Sequence, residues 1–174
     1  MKTFIALTFI GILTYAHGAS ECKTPTPVVQ DFKATDFHSG TWYVTHVANE
    51  TEPTDCRTLS MSTTTSGNSK TFVVQHPYGE GDKDKLHCTA QPETEKRLTF
   101  TCKSGGKVTD TTIFIAMVTD YNDYALYYLC TTVKSGSNEG KVYDNYLVAR
   151  RDGSKKDIPA ALKTYTNNLG LKSC

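Results

Sequence analysis

Gly40-Thr41-Trp42-Tyr43, then Thr119-Asp120-Tyr121-Asn122-Asp123-Tyr124, then Arg150-Arg151 at the end of the last apolar run decide the fold. In this order the three stretches mark a closed antiparallel barrel with a cup inside. A cup of this kind holds a small molecule rather than transforming one.

The chain around these stretches agrees. Period-two, β-branched and aromatic runs predict strands over 41–48, 57–65, 71–76, 85–90, 97–103, 109–119, 124–133 and 143–150. Turn signals separate them, among them Ser66-Gly67-Asn68, Ser104-Gly105-Gly106 and Ser135-Gly136-Ser137-Asn138. The expected class is all-β: an eight-stranded antiparallel up-and-down barrel, whose closure removes both sheet edges. One segment breaks the pattern. Ile158, Ala161, Leu162, Tyr165 and Leu169 share a helical face, so 157–168 is predicted as a C-terminal α-helix with Asp157 as its cap.

Residues 1–18 read as a signal peptide, with a positive start, an apolar run over 4–13 and Ala16-His17-Gly18 before the cut. Residues 19–174 then form one domain of secreted protein. Removing Lys2 from 19 basic residues leaves 18 against 18 acidic ones. This balance carries no nucleic-acid or membrane footprint, and a monomer is expected. The six cysteines are even in number, as expected for disulfides in an oxidising compartment. No metal-ligand spacing occurs, and no serine, histidine and aspartate form a nucleophile motif, so neither metal nor catalysis is expected. Asn49-Glu50-Thr51 is a glycosylation sequon.

Gly40-x-Trp42, Thr119-Asp120-Tyr121-x-x-Tyr124 and the arginine after the last strand resemble the three short motifs of lipocalins. The stretch Phe37-His38-Ser39-Gly40-Thr41-Trp42-Tyr43-Val44-Thr45-His46 narrows this further. It resembles the first strand of the salivary lipocalins of triatomine bugs, in a branch of Rhodnius-type platelet-aggregation inhibitors and triabin-like proteins related to nitrophorins. The resemblance implies disulfides Cys22–Cys130, Cys56–Cys174 and Cys88–Cys102. It also implies that Gly40 lets the chain turn tightly under the barrel, that Trp42 plugs the floor, and that a terminal arginine stacks on Trp42 and hydrogen-bonds to the entry segment. We assign that role to Arg150, with Arg151 as the alternative.

Alternation along a strand places candidates in the cup. With Trp42 inward, Val44 and His46 follow. With Cys130 outward to meet Cys22, Ala125, Tyr127, Leu129 and Thr131 face in. Ile113, Ile115 and Met117 are taken as inward by analogy, and Leu147, Ala149 and Asn145 complete the set. Trp42, Val44 and Leu129 serve equally well as floor packing. Tyr78 can roof the mouth and Arg57 can meet a charge there.

The family's members capture host signals or block host proteins, so the resemblance implies inhibition of host haemostasis. An adenine nucleotide such as ADP is the leading expectation, with Tyr127 or Tyr78 stacking and Arg57, Lys83 and Lys85 holding phosphate. A biogenic amine would instead use Asp55, Glu80, Asp82 and Asp84. An eicosanoid would want a deep apolar cup with one basic residue. Haem through His76 is the weaker cofactor reading, and no cofactor is expected. A protease inhibitor would act through the outer surface and leave the cup idle.

Overall fold

The computed structural model describes residues 21–49, 56–76, 86–93 and 96–174, with the backbone alone for His76. A short helix α1 (Ala34–Phe37) leads into β1 (Gly40–Val47), β2 (Thr58–Ser66), β3 (Ser69–His76), β4 (Leu86–Ala90), β5 (Leu98–Ser104), β6 (Lys107–Thr119), β7 (Tyr124–Val133) and β8 (Val142–Arg150). Every predicted strand is present within two residues at each end. Neighbours pair antiparallel in chain order, and β1 closes the barrel by pairing with both β8 and β2. A short β9 (Lys172–Ser173) joins β1 at His46 and Val47. It covers the edge that β2 leaves when the two strands part, which blunts a site for unwanted pairing.

The C-terminal helix is shorter than the sequence predicts. A 3-10 turn (Ala160–Leu162) runs into α2 (Lys163–Thr166). Asp157 does not cap it, because Arg150 takes both its carbonyl and its carboxylate. Ile158, Leu162 and Leu169 still pack on the barrel, whereas Tyr165 stays 42% exposed.

Two apolar clusters hold the wall from its two sides. The inner one joins Trp42, Val44, Leu59, Phe72, Phe100, Phe114, Tyr127 and Leu147. The outer one joins Ile115, Met117, Leu126, Tyr128, Cys130 and Val148 beneath Leu162. All three disulfides implied by the resemblance are present: Cys22–Cys130, Cys56–Cys174 and Cys88–Cys102. Cys22–Cys130 straps the lead-in segment across the outer cluster. Cys56–Cys174 spans 118 residues and holds β9 in place. Its loop-closure effect on the unfolded chain is about 4–5 kcal/mol in the entropy model.

The floor is built by the motif residues. Trp42 is fully buried and donates through Nε1 to the Phe37 carbonyl at 3.0 Å. Arg151, not Arg150, lies over it, with its guanidinium carbon 3.8 Å from the ring centroid. Arg151 also donates to the carbonyls of Tyr121 (3.1 Å), Thr41 (3.2 Å), Phe37 (3.3 Å), Asp36 (3.3 Å) and Ser39. The reason is parity: Leu147 and Ala149 face in, so Arg151 follows them and Arg150 turns outward. There Arg150 pairs with Asp123 at 3.1 Å and Asp157 at 3.5 Å. Gly40 takes φ +65°, and a Cβ there would sit 3.7 Å from Arg151 Nη1. Asp120 Oδ1 accepts from the N–H groups of Asn122, Asp123 and Tyr124 at 2.8–3.1 Å. Thr119 Oγ1 accepts from Tyr121 N–H and donates to the Tyr124 carbonyl. This bonding fixes the β6–β7 turn, in which Tyr121 itself has φ +66°.

Candidate ligand cup

A cavity of about 490 Å³ runs inside the barrel, within the range of small-molecule sites. Its lining reaches from His38 beside the floor to Ser135–Asn138 in the β7–β8 turn at the open end. Along β7 the lining spans Tyr127 to Val133, roughly 20 Å at the rise of a strand. The deep wall is apolar: Val44, Leu59, Met61, Val74, Phe100, Phe114 and Leu147. The cross-strand Cys88–Cys102 pair adds its sulfurs to that wall. Towards the mouth the wall turns polar, with Thr109, Asp110, Thr112, Thr131, Tyr143 and Asn145. Arg57, where the chain enters β2, is the one cation among the described lining residues.

The structure brings together Tyr127, Thr131, Asn145 and Arg57 of the sequence candidates. Tyr127 is 1% exposed, its ring packed 5.4 Å from Phe114 and 6.3 Å from Phe37. Thr131 shares a hydroxyl contact of 2.9 Å with Thr112 across the β6–β7 pair. Asn145 commits its amide to the end of β1: Oδ1 accepts from Ala48 and Asn49 N–H, and Nδ2 donates to the Asn49 carbonyl. Asn49, the first sequon residue, is exposed and donates through Nδ2 to the Asp144 carbonyl at 3.1 Å.

His46 is corrected by a β-bulge, and Met117 by the outward phase of its strand, which carries a bulge of its own. On β1, Val44 faces Ala149 and His46 faces Val148, so Thr45 is an extra residue. A bulge resets the alternation, and Val47 takes the inward place while His46 leaves the cavity wall. His46 meets Thr45 Oγ1 at 3.1 Å and pairs with Ser173 of β9. Burial holds its pKa below the usual histidine value, against the opposing pull of Asp157. On β6, Ala116 faces Tyr127 and Val118 faces Leu126, so Met117 is the extra residue, and it packs in the outer cluster. Ile113 and Ile115 also lie on the outer side, while Phe114 and Ala116 point in. Ile113 sits directly opposite Cys130, and directly opposed residues share a face. An outward Cys130 therefore requires an outward Ile113.

Tyr78, Asp55, Glu80, Asp82, Lys83, Asp84, Lys85 and the side chain of His76 lie outside the described residues. Among the described residues no three of His, Cys, Asp or Glu cluster as metal ligands. No helix among them is long and apolar enough to cross a membrane.

Parity on the strands missed His38, because it precedes β1. The residue is fully buried and lines the deep end of the cavity. Its Nδ1 sits 2.9 Å from the Ala34 carbonyl, and its Nε2 has no hydrogen-bond partner. Burial lowers its pKa to about 4, helped by Arg151 and opposed by the Ala34 carbonyl. The imidazole is thus neutral near pH 7.

Comparison with known proteins completes the picture. The family model described as Triabin matches residues 16–165. Procalin from Hospesneotomae protracta is 46% identical over all of this chain and 99% of its own. Triabin from Meccus pallidipennis is 31% identical over 92% of this chain and 98% of its own. LTBP1, solved in complex with leukotriene C4, is 26% identical, covers 84% of this chain and 88% of its own, and superposes with a TM-score of 0.59. This chain belongs to the triabin family of triatomine lipocalins.

Proposed function

We propose that the protein is a secreted salivary scavenger that binds an eicosanoid-like fatty-acid anion in the cup and so impairs host haemostasis. The observation that carries this reading is the wall itself: a deep apolar tube with Arg57 as its described cation near the entrance. Apolar burial would hold the hydrocarbon, and the guanidinium would meet the carboxylate. A relative that holds leukotriene C4 supports the same chemistry.

The geometry favours this ligand over ADP. A diphosphate asks for several cations, and the described wall offers one, with the Asp110 carboxylate also lining it. Tyr127 is almost wholly buried, with Phe114 and Phe37 packed against its ring, so it is poorly placed to stack on adenine. An amine is also less well served. Asp144 is paired with Lys23 at 2.9 Å and accepts from the Tyr128 hydroxyl, and Asp110 accepts from the Thr109 and Thr112 hydroxyls.

Titration calorimetry on residues 19–174 tests the reading with leukotriene C4, a stable thromboxane analogue, ADP and serotonin. We expect heat from the lipids alone. Binding of ADP or serotonin in their place would overturn the assignment. Silence from all four together with inhibition of a clotting protease would move the activity to the outer surface.

A further inference from the structure

The geometry points to a hydrogen-bond acceptor at the sealed end of the cup: His38 Nε2 receives a hydroxyl carried on the inner half of a long-chain carboxylate. This rests on the lipid reading above and adds which lipids the cup prefers.

His38 Nδ1 lies 2.9 Å from the Ala34 carbonyl, which can only accept, so Nδ1 carries the proton. A neutral ring has one N–H, so Nε2 is left with a bare lone pair. The two nitrogens sit on opposite edges of the ring. With Nδ1 turned back towards α1, Nε2 heads away from it, among Phe72, Phe100 and Phe114 at 5.1–5.5 Å between ring centroids. All three phenylalanines belong to the inner cluster that forms the cavity wall.

A buried acceptor without a donor is costly and uncommon. A phenylalanine at this position would complete an aromatic floor at no such cost. The three phenylalanine rings offer a bridging water nothing, and the Tyr127 hydroxyl beside Phe114 offers at most one further hydrogen bond, whereas an ordered buried water needs several. A ligand donor is the partner that the site lacks. Neutral Nε2 accepts but cannot donate, so it discriminates a hydroxyl from an ether, a ketone or a bare methylene. With the carboxylate at Arg57, the end that reaches His38 is the methyl half of the chain.

The test compares arachidonate with its hydroxy derivatives bearing the hydroxyl towards the methyl end, on intact protein. We expect one hydroxy isomer to bind about ten- to a hundredfold more tightly than arachidonate. In His38→Phe that ratio should collapse towards one. In the wild type, the ¹⁵N resonance of His38 Nε2 should move on saturation with that isomer and stay in place with arachidonate. This second measurement needs no variant. Equal affinities in the wild type, a preference that survives His38→Phe, or an unmoved Nε2 resonance would each overturn the proposal while leaving the lipid reading intact. Binding of neither arachidonate nor any hydroxy derivative would remove the lipid reading and this proposal with it.

Discussion

At the closed end of the barrel, five carbonyls converge on Arg151, one carboxylate oxygen holds three N–H groups, and an indole is stacked and hydrogen-bonded at once. At the open end the wall is made of hydroxyls from Thr109, Thr112 and Thr131, Arg57 lines the same cavity where the chain enters β2, and the β7–β8 turn closes on itself through Gly140 N–H to the Val133 carbonyl. The first region is over-determined, since each part fixes the next. In the second, the bonds among the described residues tie neighbouring strands one pair at a time, as Thr112 does to Thr131 and Asn145 to the end of β1. Stability should therefore reside in the floor and selectivity in the mouth, with His38 the exception that belongs to both.

The hardest way to break this contrast is to open the floor. Trp42→Ala should cost about 3–5 kcal/mol in denaturant unfolding, since it removes a fully buried indole and its bond to Phe37. Arg151→Ala should follow at about 2–4 kcal/mol, because five part-buried or exposed carbonyls lose a shared donor and the indole loses its stacked guanidinium. Arg150→Ala should cost less, about 1–2 kcal/mol, as its partners Asp123 and Asp157 can turn to water. Equal losses at the two arginines would undo the assignment of the stacked one.

Acid should also act on the floor first. His38 has an unfolded value of 6.5 and a folded value of about 4. Between these, the unfolded chain takes up a proton that the folded chain refuses. Stability is complete above pH 6.5 and falls as the pH drops towards 4, by about 3 kcal/mol, with no further loss from this group below that. His46, lowered by burial, tilts the curve the same way. His38→Phe should flatten the slope measured by urea unfolding at stepped pH. A slope that persists would place the acid sensitivity elsewhere.

The contrast also explains what could be read without a structure. Closed-end motifs are legible because their chemistry is specific: only a glycine, an indole and a guanidinium make that floor. Cys130 outward settles Tyr127, Leu129 and Thr131 by alternation, and it also settles Ile113 by pairing, an inference that the analogy on the sixth strand overrode. The same alternation through Leu147 and Ala149 singles out Arg151. The bulges at Thr45 and Met117 are different. One inserted residue leaves no compositional mark in a strand already rich in apolar and β-branched types, so alternation from Trp42 carries His46 one step out of phase, whereas Met117 shares the outward phase that Ile113 and Ile115 have before its own bulge. Both faces of β6 are apolar, because α2 and the lead-in segment cover the outer one, and hydrophobicity alone cannot tell inside from outside there. Met117→Ala tests this directly: about 2–4 kcal/mol of stability lost from the outer cluster, with lipid affinity unchanged in calorimetry. A loss of affinity at constant stability would return Met117 to the cup.

The mouth gives the smallest effect and the sharpest separation. Arg57 lines the cavity at the start of β2, where its backbone carbonyl accepts from Val44 N–H at 2.9 Å. That bond survives any change of side chain. Arg57→Gln removes the positive charge while keeping a polar side chain of similar stem, and its unfolding midpoint is measured beside its affinity so that any change in stability is separated from the change in binding. A fatty-acid anion should then bind about tenfold more weakly, or about 1.4 kcal/mol. The corresponding methyl ester, which has no carboxylate to lose, should bind both proteins alike. The ester comparison decides the matter: if acid and ester weaken together, Arg57 shapes the entrance without reading charge, and the division between a floor that stabilises and a mouth that selects loses its electrostatic half.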